Sequence, residues 1–598
     1  MRTFPLIRKK LSNEHIMSGV FIVLVLYHLP VFVNHPIEIA RFLTLLTGAF
    51  FVDVICNLLR WKHLVCSVSA AVTAAMLSLL TVGAPLWGRM IGVAAALLLG
   101  KHIWGGMGKN ILNPAVFGLL VVERFFTVPY PFFDVTWLLI PALILGIPFL
   151  KIRPFAGIGA ILGMISVLLL HNSLTLENVL VYGVLFYGCM IMTDPVTVTA
   201  NRVIGAIIGF AAGFGALFYQ GDILMVIMSI LLVNMISYLL EDILPISAKH
   251  SHPGIRIRKA VCHVNQNTSV IDLTGEDAQV ISEAATQELT SEEVLRRILE
   301  NKVFGMGGGA HSTYQKIDTV MHSEGYAKYL LINGVECDPG LVHDRWILRN
   351  RSEQILQGVR MLRKCISFAA VHLAVKEEEG LVFPEDIHIH ALPDYYPAGA
   401  ERVLISEILN QKVEWNEVPA EHGMLVLNVQ TVCAIAAAID RNKAIDTRYL
   451  TVANMKNKSA HVVKVRMGMK LHEVLEAVYP GSKGVYAGGG IMQAFMADEN
   501  TVVDQKVNFI ATAQPPAYKE SPQCSKCGEC IRNCPAGLQV NKIADLIDHY
   551  KYDQVKQYQA QRCNGCGICS YSCKAGKNLA ERVKRAKEEI NNQAGEDL

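Results

Sequence analysis

The stretch Cys524-Ser525-Lys526-Cys527-Gly528-Glu529-Cys530-Ile531-Arg532-Asn533-Cys534-Pro535 decides how the carboxyl end is read. It is a complete C-x2-C-x2-C-x3-C-P run. Cys563-Asn564-Gly565-Cys566-Gly567-Ile568-Cys569-Ser570-Tyr571-Ser572-Cys573 repeats the spacing, with Lys574 in place of the proline. Four thiolates hold a four-iron, four-sulfur cubane, and in two-cluster proteins the fourth Cys of each run ligates the other cluster. The expected quartets are therefore Cys524, Cys527, Cys530 and Cys573, and Cys563, Cys566, Cys569 and Cys534. Structural zinc is the alternative, since CxxC pairs also suit that metal. Zinc sites pair two such knuckles, however, and give no reason for a third Cys and a fourth at x3, twice over. Between the runs, Ile543, Leu546, Ile547 and Tyr550 fall at helical spacing, so a helical two-cluster ferredoxin module is expected over 513–582. A charged helical tail, 583–598, follows.

Eight of the fifteen cysteines lie between Cys524 and Cys573. A secreted disulfide scaffold would spread them through a small chain, so the clustering points to metal thiolates in a reducing compartment. The other seven are read as packed small apolar groups. Formal net charge is +3, and no basic stripe with interleaved aromatics is present, so nucleic acid is not an expected partner.

The chain has 598 residues, 52% of them hydrophobic, and two halves of unlike character. Residues 1–246 are dominated by apolar runs, and those after about 260 read as water-soluble α/β protein. A membrane span needs roughly 20 apolar residues. About ten are placed, near 16–33, 38–59, 63–82, 86–101, 109–124, 135–151, 155–171, 176–193, 202–219 and 222–241. With an inside amino terminus, Arg60, Lys62, Lys101, Lys109, Lys151, Arg153 and Arg202 fall on inside connections, and Lys249, Arg256, Arg258 and Lys259 follow the last span. The outside connections carry no Lys or Arg except Arg89 and Arg124 at span edges. This satisfies the positive-inside rule and puts both termini in the cytoplasm of a cell bounded by an inner membrane. The basic start, MRTFPLIRKK, reads as the approach to a retained first span.

Two connections stand out: Gly105-Gly-Met-Gly-Lys-Asn-Ile-Leu-Asn-Pro-Ala115 and Met192-Thr-Asp-Pro-Val-Thr-Val-Thr199. Gly and Pro can simply break helices. Polar non-helical backbone at a membrane boundary otherwise lines a cavity, where Asn110, Asn113, Thr193, Asp194 and Thr197 would face a polar ligand or ion. Asp53, inside the second span, is either part of an ion path or a hydrogen-bonded acid near a helix end. These strings resemble the membrane protein RnfD and the B subunit of the sodium-pumping NADH:quinone reductase, over about residues 16–245. The resemblance implies a flavin in the membrane half, esterified to a Thr in a Ser-Gly-Ala-Thr string. That string is absent; the corresponding stretch reads Phe125-Phe-Thr-Val-Pro-Tyr-Pro-Phe-Phe-Asp-Val-Thr136. A second flavin is thus expected to be non-covalent or missing.

In the soluble half, after a linker over 247–287, Thr290-Ser-Glu-Glu293 opens a helix to about Asn301. Gly305-Met-Gly-Gly-Gly-Ala-His-Ser-Thr313 follows, with Lys316 beyond. Such a loop is either a plain turn or a cradle whose N–H groups and following helix N-terminus face an anion. A strand over Tyr329–Ile332 leads into Asn333-Gly-Val-Glu-Cys-Asp-Pro-Gly340, then Asp344-Arg345, then Tyr396-Pro-Ala-Gly-Ala-Glu401, then Leu427-Asn-Val-Gln-Thr431. These strings, in this order, resemble the C subunit of the Rnf complex, the NADH-binding flavin subunit of respiratory complex I and the cobalamin reductase of propanediol metabolism, over about 288–580.

The resemblance implies that Gly305, Gly307, Gly308, Gly309, Lys316, Asn333, Glu336 and Asn428 surround FMN, with Tyr396 and Glu401 near the flavin or nicotinamide. Asn113, Asp194 and Thr197 are the corresponding cofactor candidates of the membrane half. It further implies an α/β FMN domain over 288–440 and a small β-grasp-like (SLBB) domain over 441–512. Where the family reads Ala-Gly-Phe-Pro, this chain has Gly309-Ala310-His311-Ser312, so a residue that helps hold the nucleotide is replaced. The expected molecule is an oxidoreductase subunit of an Rnf-type complex. It would pass electrons between a cytoplasmic carrier (NADH or ferredoxin), FMN, two [4Fe-4S] clusters and membrane partner subunits, with coupling to Na⁺ or H⁺ implied by the family. A membrane-anchored reductase that does not pump is the alternative.

Overall fold

The computed structural model describes residues 4–8, 12–61, 67–104, 106, 110–126, 154–194, 196–199, 201–218, 222–243, 254–257, 260, 270–275, 289–376, 381–414, 416–482, 484–513, 524 and 526–596. The amino-terminal half is helical: α1 (Asn13–Asn34), α2 (Ile37–Trp61), α3 (Val68–Leu80), α4 (Leu86–Leu97), α5 (Pro114–Phe125), α6 (Pro154–Leu170), α7 (Arg202–Phe218) and α8 (Ile223–Ile243). A broken helical stretch over Leu176–Val181 and Val184–Phe186 ends in a π-turn at Tyr187–Ile191. Helix therefore forms in nine of the ten apolar stretches, and the tenth, 135–151, lies outside the described residues. Among the described residues, three helices are long and apolar enough to cross a membrane: Asn13–Asn34, Ile37–Leu59 and Ile223–Leu240. Shorter apolar helices among those residues are α3, α6 and α7. At 1.5 Å per residue α3 reaches only about 20 Å, against a hydrocarbon core of roughly 30 Å.

Small residues set the tightest packing. Gly159 and Gly163 of α6 face α7, and Gly209 and Gly213 of α7 face α6. A Cβ on Gly163 would stand 2.2 Å from the Phe210 carbonyl, and one on Gly213 2.0 Å from that of Ala160. Two small-xxx-small patterns thus let the backbones touch. Charge inside this half is paired. Asp53 is fully buried and accepts from Lys101 Nζ (3.0 Å), His102 Nε2 (2.9 Å), the Ser67 hydroxyl (2.7 Å) and Asn57 Nδ2 (3.1 Å). Arg89, near the start of α4, is buried against Glu38, with Nη1 to Oε2 at 2.5 Å. A buried cation keeps its charge only with such a partner. Lys101, placed on an inside connection by the sequence reading, is likewise buried.

The soluble half begins with a parallel sheet in the order β4-β3-β2-β5, from β2 (Tyr329–Gly334), β3 (Ala370–Val375), β4 (Ile387–Ala391) and β5 (Met424–Asn428). Helices α9 (Ser291–Glu300), α10 (Thr313–Met321), α11 (His343–Asn350), α12 (Ser352–Cys365), α13 (Glu401–Leu409) and α14 (Val429–Arg441) pack around it. Continuous apolar strands such as Leu330-Leu331-Ile332 suit a sheet covered on both faces. The pairing Asn333↔Asn428 sets two asparagines side by side at the carboxyl edge of β2 and β5, where open α/β sheets place their ligands.

A second, mixed sheet has the order β1-β7-β6-β10-β8-β9. It comprises β6 (Thr447–Asn454), β7 (Ser459–Arg466), β8 (Val485–Gly488), β9 (Ala494–Met496) and β10 (Phe509–Thr512), with helix α15 (Leu471–Val478) buried against it. Its edge strand β1 (Ile271–Asp272) comes from the segment read as linker. Two residues are too short to leave a period-2 signature, so periodicity alone does not reveal them. The carboxyl end packs α16 (Val540–Asp548) against α17 (Leu579–Glu596), which buries Val583, Ala586 and Ile590. The stretch expected as a charged tail is thus largely an amphipathic helix of this core.

Three regions meet in one apolar cluster holding Leu341 and Tyr396, Ile491 and Phe509, and Cys566 and Ile568. The amino terminus joins it as well. Phe4 bridges Ala494 (N–H to O, 2.7 Å), Leu6 N–H donates to the Ile491 carbonyl (2.9 Å), and Asn13 N–H to the Lys574 carbonyl (3.0 Å).

Candidate functional site

A cavity of about 490 Å³ lies at the carboxyl edge of the parallel sheet, within the range of small-molecule sites. All ten soluble-half candidates line it: Gly305, Gly307, Gly308, Gly309, Lys316, Asn333, Glu336, Tyr396, Glu401 and Asn428. The glycine loop rests on the end of β5: the Met306 N–H donates to Thr431 Oγ1 (2.8 Å), and a Cβ on Gly307 would press on Asn428 at 3.2 Å. Gly308, at φ +96°, needs the left-handed backbone that glycine adopts without strain. The loop ends where Ser312, in the place of the family's proline, caps α10 by accepting from the Gln315 N–H (3.3 Å). The glycine backbone, the positive end of α10 and Lys316 thus share one wall. Lys316 Nζ is held by Glu401 Oε1 (3.0 Å) and the Val426 carbonyl (3.3 Å).

The remaining polar side chains are fixed by one another. Asn333 Nδ2 donates to the Gly399 carbonyl (2.8 Å), Asn428 Nδ2 to Asp344 Oδ2 (2.9 Å), and the Asp344 N–H to Glu336 Oε1 (2.9 Å). The fit to a flavin mononucleotide rests on this chemistry: a glycine cradle and a lysine for a phosphate, and preset amide and carboxylate groups for a polar ring edge.

Several lining residues were not among the candidates read from the sequence. Asp338 accepts from the N–H groups of Ile491 (3.0 Å) and Met492 (3.2 Å), clamping the loop after β8 onto the parallel-sheet domain. Gly490 permits this, since a Cβ there would lie 2.3 Å from Asp338 Oδ2. Cys337, whose thiol burial pushes up to about 12, accepts from the Gly399 N–H (3.3 Å). Gln493 and Asn508 reach the cavity from the second sheet. Only Asp338 and Cys337 belonged to a string legible in the sequence.

The structure brings Cys573 of the second run to the cysteines of the first, and Cys534 of the first run to those of the second. Cys524, Cys527, Cys530 and Cys573 line one small cavity with Lys526, Lys574 and Lys577. The Cys569 thiol is raised well above its ordinary value by burial and by its neighbours Cys563, Cys566 and Cys534. Backbone N–H groups point at sulfur in both, from Lys526 to Cys524 (3.4 Å) and from Gly565 to Cys563 (3.3 Å). Among the described residues, no three His, Cys, Asp or Glu side chains converge on a point that would hold a single metal ion.

One quartet adjoins the flavin-type cavity. Cys566 and Asn564 line that cavity, the Tyr396 hydroxyl donates to the Cys566 carbonyl (2.8 Å), and Gln493 Nε2 to the Gly565 carbonyl (2.7 Å).

In the membrane half, the two unusual connections meet through Asn234, which sequence reading missed. Its Oδ1 accepts from the Asn113 N–H (2.9 Å), and its Nδ2 donates to the Thr197 carbonyl (3.3 Å). Asn113 caps α5 by accepting from the Ala115 N–H (3.1 Å), while Asp194 accepts from Thr197 Oγ1 (2.8 Å) and the Val196 N–H (3.0 Å). These side chains order the connections themselves. Gly105 and residues 107–109, most of 125–136, and most of the linker lie outside the described residues.

Comparison with known proteins bears on both halves. Residues 1–142 match the family described as NQR2, RnfD, RnfE, and residues 298–437 the Nuo51 FMN-binding domain. The C subunit of the ion-translocating oxidoreductase complex of Haemophilus influenzae is 28% identical over 284 residues, 44% of this chain and 34% of that protein. The C subunit of the Na(+)-translocating ferredoxin:NAD(+) oxidoreductase complex of Acetobacterium woodii is 26% identical over 318 residues, 51% of this chain and 71% of that protein. The chain spans 34% to 43% of the length of its Haemophilus influenzae relatives. In one polypeptide, it joins a segment similar to the NQR2, RnfD and RnfE membrane proteins to a segment similar to these C subunits, within which residues 298–437 match the Nuo51 FMN-binding domain.

Proposed function

We propose that the chain is a D–C fusion subunit of an Rnf-type complex in a bacterial inner membrane, moving electrons between a cytoplasmic carrier and membrane partner subunits through FMN and two [4Fe-4S] clusters. One observation carries the reading: the cavity lined by the glycine loop is also lined by Cys566, and Tyr396 bonds the backbone of that same cysteine. FMN, when bound, exchanges electrons as a pair on one side and singly on the other. The residues do the rest. Gly305, Gly307, Gly308 and Gly309 with Lys316 hold the phosphate, and Asn333, Glu336 and Asn428 set the ring edge. Tyr396 and Glu401 stand near the nicotinamide of NADH or the flavin ring.

A cubane carries its four thiolates farther apart than one tetrahedral ion does. Two runs with a third Cys at x2 and a fourth at x3, in place of paired knuckles, fit clusters better than zinc. The pairing of Phe4 and Leu6 with the soluble half supports both termini lying on the cytoplasmic side, and hence an even number of crossings, ten by hydropathy. Coupling to Na⁺ or H⁺ comes to the proposal from the names of the relatives. A non-pumping reductase is the second reading, favoured by the absent Ser-Gly-Ala-Thr string and by connections whose polar groups satisfy one another.

Anaerobic purification with iron, sulfide, zinc and flavin quantitation tests the proposal. Roughly eight iron and eight sulfide per chain are expected for two cubanes, with one flavin bleached by NADH or by reduced ferredoxin. Zinc without acid-labile sulfide overturns it, and a second, non-covalent flavin would favour the pumping form.

A further inference from the structure

A second cavity, of about 620 Å³, lies behind the glycine loop, between helices α12 and α14 and the second sheet. It shares no lining residue with the first; Gly305 and Gly307 face one cavity and Met306 the other. Seven Lys and Arg side chains line it against three acidic ones. One acid, Asp272, is taken up by Lys464 at 3.4 Å.

Its interior is unusual. Gln357, Gln430 and Arg448 are 4%, 3% and 2% exposed, and among the described residues nothing accepts from Gln357 Nε2, Gln430 Nε2 or Arg448 Nε. The orientation of the Gln430 amide is fixed, because its Oε1 accepts from the Tyr449 N–H at 2.5 Å. Arg448 is fixed as well: its other nitrogens hold the carbonyls of Asp504 (3.0 Å), Gln505 (3.0 Å) and Met306 (3.1 Å). Buried donors without acceptors each forfeit about 1–3 kcal/mol. Three of them lining one basic cavity of small-molecule size await an acceptor-rich guest.

We propose that this cavity binds a small multiply charged anion, an organic phosphate or a polycarboxylate. The donors of Gln357, Gln430 and Arg448 receive its oxygens, and Arg441 and Lys443 at the exposed rim supply charge. The site does not depend on the electron-transfer reading above, and its test needs no turnover.

Pyrophosphate and citrate are titrated calorimetrically into the full chain in detergent, with flavin and iron content recorded alongside. Saturable binding is expected in the wild-type protein. Pyrophosphate alone would identify the guest as phosphate-bearing, citrate alone as a carboxylate, and binding of both as either. The rim variant R441E/K443E lies on exposed side chains and is expected to fold. In it, and in Gln357→Leu, affinity should fall at least about tenfold with flavin and iron content unchanged. The absence of saturable binding of either anion, or binding undiminished in R441E/K443E, overturns the proposal.

Discussion

The two cysteine runs are near copies in sequence, yet the fold gives them different neighbours. Cys566 of the second run lines the flavin-type cavity, with Tyr396 and Gln493 bonded to the backbone at Cys566 and Gly565. The first run faces away from that cavity. Lys526 lies over the ring of Tyr238 in α8 at 5.3 Å, and Cys524 is exposed. In the proposed function, the motif sets which sulfurs share a cluster. The packing sets which centre stands next to the flavin and which next to the membrane half. On the proposed reading, the order runs from flavin to the Cys566 quartet, then to the Cys527 quartet and the membrane.

That order can be broken most sharply at the sulfurs. Cys566→Ala and Cys527→Ala should each lose roughly half of the iron and acid-labile sulfide. Only Cys566→Ala should also stop electrons passing from reduced flavin to the remaining cluster, read by rapid-mixing absorbance and electron paramagnetic resonance. Equal behaviour of the two variants would erase the distinction. Next in size, Lys316→Ala removes the charged partner proposed for the phosphate, worth about 1.5–3 kcal/mol. Flavin affinity should fall roughly ten- to hundredfold with iron retained, measured by fluorescence on flavin release.

A smaller effect is expected from Tyr396→Phe, which deletes one buried hydrogen bond of about 1 kcal/mol. Flavin-to-cluster transfer should slow a few-fold with both clusters in place. The smallest effect concerns a thiol outside both quartets. Cys337, pushed up to about 12 by burial, is a thiol at pH 8 and forms thiolate only as pH rises toward that value. Iodoacetamide at pH 8 should leave it unmodified even after flavin removal, as judged by mass spectrometry; rapid labelling would show a more open cavity wall.

Legibility in the sequence followed the range of the interaction. The quartets, the glycine loop and the ends of β2 and β5 are written in short spacings, and the structure assembles all ten soluble-half candidates around one cavity. Arg448 holds the Met306 carbonyl 142 positions away and Gln493 the Gly565 carbonyl 72 away, and a single Arg or Gln carries no spacing to read. Hydropathy located the helical stretches but not their lengths, because Gly183, in the left-handed conformation, and the π-turn after it interrupt what composition alone reads as continuous. Arg89 and Lys101 were legible as charges. Their burial depended on Glu38 and Asp53, about fifty positions earlier on a neighbouring helix.

The backbone pairing of Phe4 and Leu6 with the loop beyond β8 also constrains how the chain is made. Those partners emerge from the ribosome only after some 490 residues, roughly 25–100 s later at 5–20 residues per second. On the proposed topology, that segment waits on the ribosome side of the bilayer throughout that interval while the hydrophobic helices insert. Closure of the soluble half is thus a late event in biogenesis, and a variant that relocates the first dozen residues should insert normally yet mature defectively.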